Sequence, residues 1–219
     1  MAAVPTTPDV LGDVYEPAED TYLFLDAIQD ETPFLADLIP SLVLELGPGS
    51  GVVGVYTMKQ LASIDQPALL LAVDINDEAT ACTKETARLN AIHNIEIVRM
   101  DLLTQLQLRH QVDVLLFNPP YVPTPSEEVG STGIEAAWAG GLHGREVIDR
   151  LLPLVQHLLS PMGVFYMVIV AENRPKDIAR IMAASGFSTT VVRSRQAFNE
   201  RLSILKFARQ SIQEVVAEA

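Results

Sequence analysis

Apolar residues gather in five short runs: LVLEL (42–46), ALLLAVD (68–74), IEIVRMD (95–101), VDVLLF (112–117) and GVFYMVIV (163–170). Between most of them the spacing changes to that of a helix. VVGVYTMKQLAS (52–63) follows the first run after a glycine cluster, and INDEATACTKETARLNA (75–91) follows the second, with Asn76 or Asp77 placed to cap it. REVIDRLLPLVQHLLS (145–160) reads as a helix despite Pro153, and PKDIARIMAASG (175–186) as one that starts at a proline and stops at a glycine. The third run alternates apolar and polar positions, as expected of a strand near a sheet edge. FSTTVVRSR (187–195) and RLSILKFAR (201–209) are strand-like with no helix between them, so they should pair antiparallel at one edge.

Strand and helix alternating through five strands predicts right-handed crossovers and a mostly parallel sheet covered by helices on both faces. The fold class is α/β: one doubly wound, Rossmann-like domain with a seven-stranded, mostly parallel sheet and an antiparallel C-terminal strand pair. Its core spans residues 42–208. Residues 13–30, opened by Pro17 and acidic residues, predict a covering helix near the sheet's ligand end, with tails at 1–12 and 209–219.

Composition narrows the partners. With 219 residues, 48% of them hydrophobic and 20% charged, the chain is an ordinary globular one. Its net charge of −13 and pI near 4.6 argue against a nucleic-acid backbone as partner, because phosphate binding needs clustered Lys and Arg. The single Cys82 excludes an internal disulfide and has no companions at metal-ligand spacing, so no metal site is expected. No signal peptide opens the chain, and no stretch approaches the roughly 18 apolar residues of a membrane span. A soluble, intracellular protein is expected.

In open α/β sheets ligands bind beyond the carboxyl ends of the strands. There the chain places Glu45-Leu46-Gly47-Pro48-Gly49-Ser50-Gly51, then Asp74-Ile75, then Asp101-Leu102, then Asn118-Pro119-Pro120-Tyr121. Gly49, Gly51 and Gly54 satisfy G-x-G-x-x-G, and Asp74 lies roughly where a dinucleotide-binding carboxylate would, so a nicotinamide or flavin enzyme is a rival reading. Against it, Glu45 sets a negative charge near the helix start where a pyrophosphate would sit. A cationic sulfonium ligand, S-adenosyl-L-methionine, tolerates these acids. Asp74 then accepts from the ribose hydroxyls, while Asp101 and Leu102 hold the adenine, unless Asp101 merely caps LLTQL (102–106).

The stretch Asn118-Pro119-Pro120-Tyr121 resembles the catalytic motif of methyltransferases acting on planar, conjugated nitrogens. Such nitrogens are poor nucleophiles, so two acceptors that hold both N–H bonds, here the Asn118 side chain and the Pro119 carbonyl, turn the lone pair toward the methyl donor. Tyr121 packs on the flat target. Tyr15-Glu16-Pro17-Ala18-Glu19-Asp20-Thr21 and Ala136-Ala137-Trp138-Ala139-Gly140-Gly141-Leu142-His143-Gly144-Arg145-Glu146 are similar to segments of the short eukaryotic branch of HemK-type glutamine methyltransferases. The resemblance covers roughly residues 13 to 208.

It implies a class I S-adenosylmethionine-dependent fold, with S-adenosyl-L-homocysteine as product, and cofactor contacts from Thr21, Glu45, Gly47, Gly49, Gly51, Asp74, Ile75, Asp101, Leu102 and Asn118. Asn118, Pro119 and Tyr121 would be catalytic, and Asn118 to Tyr121 would meet the substrate. The implied target is the glutamine in the Gly-Gly-Gln tip of the eukaryotic class-1 release factor, which places the chain in the cytoplasm or also the nucleus. A small zinc-binding activator protein is implied as heterodimer partner, paired along the edge strand Ile95–Asp101; the mean hydropathy of +0.22 fits a covered edge. Adenine methylation of DNA shares the chemistry, and lysine methylation of a histone-like protein is a third reading. The role of the loop Pro123–Gly141 stays open, and Arg145 either holds that loop or meets substrate.

Overall fold

The structure is a computed structural model describing residues 2–9, 12–130, 134–197 and 200–209. Its elements are α1 (Glu19–Asp30), α2 (Thr32–Leu38), β1 (Leu42–Leu46), α3 (Val52–Ser63), β2 (Leu69–Asp74), α4 (Asp77–Leu89) and β3 (Ile95–Arg99). They continue as β4 (Val112–Phe117), α5 (Glu146–Leu158), β5 (Leu159–Ile169), α6 (Pro175–Ala184), β6 (Phe187–Ala197) and β7 (Glu200–Arg209).

Seven strands lie in the order β3-β2-β1-β4-β5-β7-β6, parallel except for β7, which runs antiparallel to both its neighbours. The alternating strand β3 is at one edge and the C-terminal hairpin at the other, as the patterns predicted.

Period-two geometry explains why the strands are almost continuously apolar. Val43, Val114, Leu116, Val164, Tyr166 and Val168 face one core with α1, α2 and α3, which supply Phe24, Ile28, Leu35, Tyr56 and Leu61. Leu44, Leu46, Leu115, Phe117, Phe165 and Met167 face the other core with α5 and α6, which supply Ile148, Leu152, Val155, Ile178 and Met182. A strand between two helical layers has no wet face. Each fully buried Leu, Ile or Phe contributes about 1.5–3 kcal/mol, so truncating one on either face is costly.

Three expectations need correction. The N-terminal helix starts at Glu19, not at Pro17: Ala18 is its extended N-cap, and Val14 is buried against Ala79 and Cys82 of α4, which requires extended chain before the helix. No helix joins β3 to β4. Residues 101–105 form turns, with Leu102 and His110 at positive φ, so the strict strand–helix alternation fails there and Asp101 caps nothing. The short helix α2, unforeseen, is only seven residues long with a proline in its first turn. Of the predicted tails, Thr6 exchanges hydrogen bonds with Asn90, laying the first against the end of α4, and 210–219 lie outside the described residues.

Candidate active site

β1 and β4 are neighbours, and the chain leaves them toward opposite edges, which makes the gap beyond their carboxyl ends the topological switch point. A cavity opens there. Thr21, Glu45, Gly47, Gly49, Asp74, Ile75, Asp101, Leu102, Asn118 and Pro120 all line it. Gly51, Pro119 and Tyr121 do not. Gly51 is the left-handed N-cap of α3, and a Cβ there would lie 2.9 Å from the Thr83 backbone, so its constraint is helix packing.

Glu45 is the most buried acid lining the cavity. Its Oε1 accepts from the Gly54 amide (3.2 Å), an otherwise orphaned donor in the first turn of α3, while its Oε2 is buried without a partner. A Cβ on Gly54 would overlap that carboxylate, which is why the third glycine of the fingerprint stands inside the helix. Burial pushes the Glu45 carboxyl up to about 8, the Gly54 bond opposing and the nearby Asp74 charge adding. A carboxyl already bonded at the helix start occupies the place a pyrophosphate would need, which weighs against the dinucleotide reading.

Asp74 is anchored by backbone amides, Oδ2 accepting from Gly49 (3.1 Å) and Oδ1 from Asn76 (2.9 Å). Burial raises its pKa, and those bonds, with one from Ile75, oppose the rise. Each oxygen keeps lone-pair capacity toward the cavity. Asp101 pairs with Arg150 at 2.6 Å, both side chains over 40% exposed. A pair that open is worth at most about 1 kcal/mol, so it does not bar Asp101 from a ligand.

Beyond β4, Asn118 donates from Nδ2 to Oδ2 of Asp20 (2.9 Å), while its Oδ1 is buried with no partner. Asp20 stands at the start of α1 and is 3% exposed. It also accepts from the hydroxyls of Tyr15 (3.2 Å) and Tyr121 (3.4 Å) and from the Thr21 amide (2.7 Å). Burial, then the Asp20 charge, holds the Tyr121 hydroxyl far above its usual range, so Tyr121 is a neutral donor and not a base. A second, shallower cavity on the far side of Asp20 and Tyr121 is lined by Tyr15, Glu19, Glu200 and Leu202, which gives the motif an outer face as well as an inner one.

The segment after the motif is clamped. Asn173, fully buried past the end of β5, donates from Nδ2 to the carbonyls of Tyr121 (2.8 Å) and His143 (2.9 Å), and its Oδ1 accepts from Val170 (2.8 Å). Gly140 and Gly144 lie so close that a Cβ on either would overlap the Pro120 or Tyr121 carbonyl. Arg145 is buried, bonded to Asp149 and the Asn173 carbonyl, and so holds this loop. Glu146 accepts from Ser126 (2.5 Å) and the Leu142 amide (2.9 Å), tying the segment after the motif to the start of α5, and Gly130, Ala136, Ala137 and Ala139 line the cavity.

This arrangement can be set beside known proteins. A family model described as the methyltransferase small domain matches residues 20–137. The human protein named Methyltransferase HEMK2 is 54% identical over 201 residues, covering 90% of this chain and 91% of its own. This chain belongs to the HemK-type methyltransferases, in their short eukaryotic branch. Another relative, 37% identical over 95% of this chain and 96% of its own, is the eRF1 methyltransferase catalytic subunit mtq2 of Schizosaccharomyces pombe. Among solved structures, the E. cuniculi Mtq2-Trm112 complex, described as responsible for methylation of the eRF1 translation termination factor, aligns with a TM-score of 0.63 and 30% identity over 90% of this chain and 99% of that one. A ribosomal protein L11 methylase from Lactobacillus delbrueckii, 20% identical with a TM-score of 0.62 over 90% of this chain and 82% of its own, shares the fold.

HemK-type enzymes draw their methyl group from S-adenosylmethionine, and the residues here fit that cofactor. The cavity offers a glycine turn without side chains, an anchored carboxylate at Asp74 and a second at Asp101, and among the described residues its one lining cation, Arg150, is paired with Asp101. When bound, the cofactor supplies an electrophilic methyl. Sequence reasoning missed Asp20 and Asn173. Asp20 lay inside the recognised Tyr15–Thr21 segment but reads as a first-turn helix acid; nothing in the local pattern around Asn173 marks it.

Proposed function

We propose that this chain methylates the side-chain amide of a glutamine, the one in the Gly-Gly-Gln tip of the eukaryotic class-1 translation termination factor. It acts as the catalytic subunit beside a small zinc-binding activator. One observation carries the chemistry: Asn118 Oδ1 is a buried acceptor, without a partner among the described residues, on a residue that lines the cofactor cavity. Buried polar atoms without partners are rare and call for an explanation, and this one belongs to a residue that lines the cavity. A primary amide nitrogen, with two N–H bonds in one plane, matches an acceptor pair made of Asn118 Oδ1 and the following Pro119 carbonyl.

Holding both hydrogens in that plane leaves the nitrogen lone pair directed at the methyl. Positioning of this kind can supply on the order of 7–11 kcal/mol. No base is needed beforehand, because the nitrogen acidifies as it gains the methyl, and Tyr121 has too high a pKa to be one. Lysine fits less well, since an ammonium must first lose a proton.

The choice of substrate and partner draws on the named activities of the S. pombe and E. cuniculi relatives. The outer edge of β3 has no neighbouring strand among the described residues, and its Ile95, Ile97 and Val98 are half exposed beside exposed Leu69 and Leu89. A strand added there would cover them.

The test is methyl transfer from labelled S-adenosylmethionine to the termination factor and to its Gln→Ala tip variant, with and without the activator, with duplex DNA in parallel. Label on the intact factor alone is the expected result. Label on the variant equally, or on DNA instead, overturns the substrate.

A further inference from the structure

We infer that Asp20 is a positioning residue for methyl transfer: it fixes which end of the Asn118 amide faces the acceptor nitrogen. This rests on the methyl-transfer reading of the same site. An asparagine amide is nearly isosteric end to end, but its ends are chemically opposite, an acceptor oxygen and a donor NH2. Flipped, Asn118 would present its NH2 to the target's NH2, donor against donor. The fold must therefore select one orientation.

Nothing in the motif itself makes that selection. Asp20 does, because an acceptor-only carboxylate 2.9 Å from one end of the amide can be satisfied only by Nδ2. The other end, Oδ1, is thereby left as the buried acceptor.

The carboxylate is itself held. Its Oδ1 accepts from Tyr15, from the Thr21 amide and from the Thr21 hydroxyl (3.4 Å), and its Oδ2 accepts from Asn118 and Tyr121. One oxygen belongs to the N-terminal segment and the other to the catalytic motif, 98 residues away in sequence. Asp20 is thus the joint through which the covering helix α1 acts on the motif.

That division suggests an exchange. In Asp20→Asn the selection is reversed, since Oδ1 of position 20 stays held by Tyr15 and Thr21 and its NH2 then calls for the Asn118 oxygen; in Asn118→Asp two carboxylates face each other. Combined, Asp20→Asn and Asn118→Asp restore the pattern: the amide now at 20 donates to the carboxylate now at 118, whose second oxygen faces the acceptor. Oδ1 of position 20 still accepts from Tyr15 and Thr21.

The experiment measures kcat, KM and S-adenosylmethionine affinity for the wild type, both single variants and the double variant. Each single is expected to lose about 10–100-fold in kcat, Asp20→Asn with cofactor affinity unchanged, and the double is expected to regain at least about tenfold over either single. Singles with wild-type kcat, or a double whose loss is the product of the two, overturn the inference. A second readout needs no acceptor: the Asn118 side-chain NH2 resonances, assigned by their loss in Asn118→Asp. They should be slowly exchanging in the wild type and shift with faster exchange in Asp20→Asn. Unchanged resonances overturn the inference whichever substrate proves correct, whereas an inactive wild type with shifting resonances faults the choice of substrate alone.

Discussion

The two ends of β4 carry polar side chains with opposite fates. At the amino end, Asp113 is saturated: Oδ2 accepts from the Ser41 amide (2.9 Å), the Ser41 hydroxyl (2.8 Å) and the Leu42 amide (3.1 Å), and Oδ1 from Ser160 (2.7 Å). Burial alone would raise its pKa, yet these bonds outweigh it and the net shift is downward. At the carboxyl end, Asn118 satisfies its donor through Asp20 and leaves its acceptor bare. A saturated group reports on the fold, here the joining of β1, β4 and β5 at their starts. An orphaned one on a residue that lines a cavity is open to a ligand's donor.

Changes to other residues sharpen this contrast, beginning where the site's backbone is held. Asn173→Ala removes the donor shared by the Tyr121 and His143 carbonyls and the acceptor of the Val170 amide. It should cost about 2–3 kcal/mol in denaturant unfolding and lower transfer as well, because the clamp adjoins the motif. Gly54→Ala pits two effects against each other. Helix propensity favours Ala by about 1 kcal/mol, but overlap with the Glu45 carboxylate and Leu70 costs typically 1–3 kcal/mol. Net destabilisation with weakened cofactor binding is expected; a stabilised variant would mean that Glu45 is free to move aside.

The smallest effect is one of pH. Glu45 titrates near 4.5 when unfolded and about 8 when folded, so the folded chain holds the extra proton between those values. That contribution is complete below about 4.5 and is lost as pH rises through about 8. The melting temperature of the cofactor-free protein should therefore fall from pH 5 to pH 8.5, and Glu45→Gln should flatten that part of the profile. An identical profile in the variant would assign the dependence to other groups.

Much of this was legible in the chain. The five apolar runs became strands because a sheet covered on both sides has no polar face, and the acids and glycines at their ends line the cavity because open sheets bind there. The missing helix between β3 and β4 was not legible, since LLTQL has helical residue types but is too short to hold a helix without packing. Gly51 read as a ligand contact and in the structure lies against Thr83 without lining the cavity, a distinction that spacing alone does not carry. Asp20 and Asn173 act across 98 and 52 residues of sequence. Only the folded chain brings their partners to them.

If the bare acceptor of Asn118 exists for the substrate, transfer rate and melting temperature measured side by side should separate Asn118→Ala from Asp113→Ala. Asn118→Ala should lose about 100-fold or more in transfer, far beyond what the loss of its bond to buried Asp20 takes from stability. Asp113→Ala should keep its transfer rate and melt about 2–6 °C lower. Asn118→Ala with near wild-type transfer, or with a loss explained by unfolding, would contradict the account.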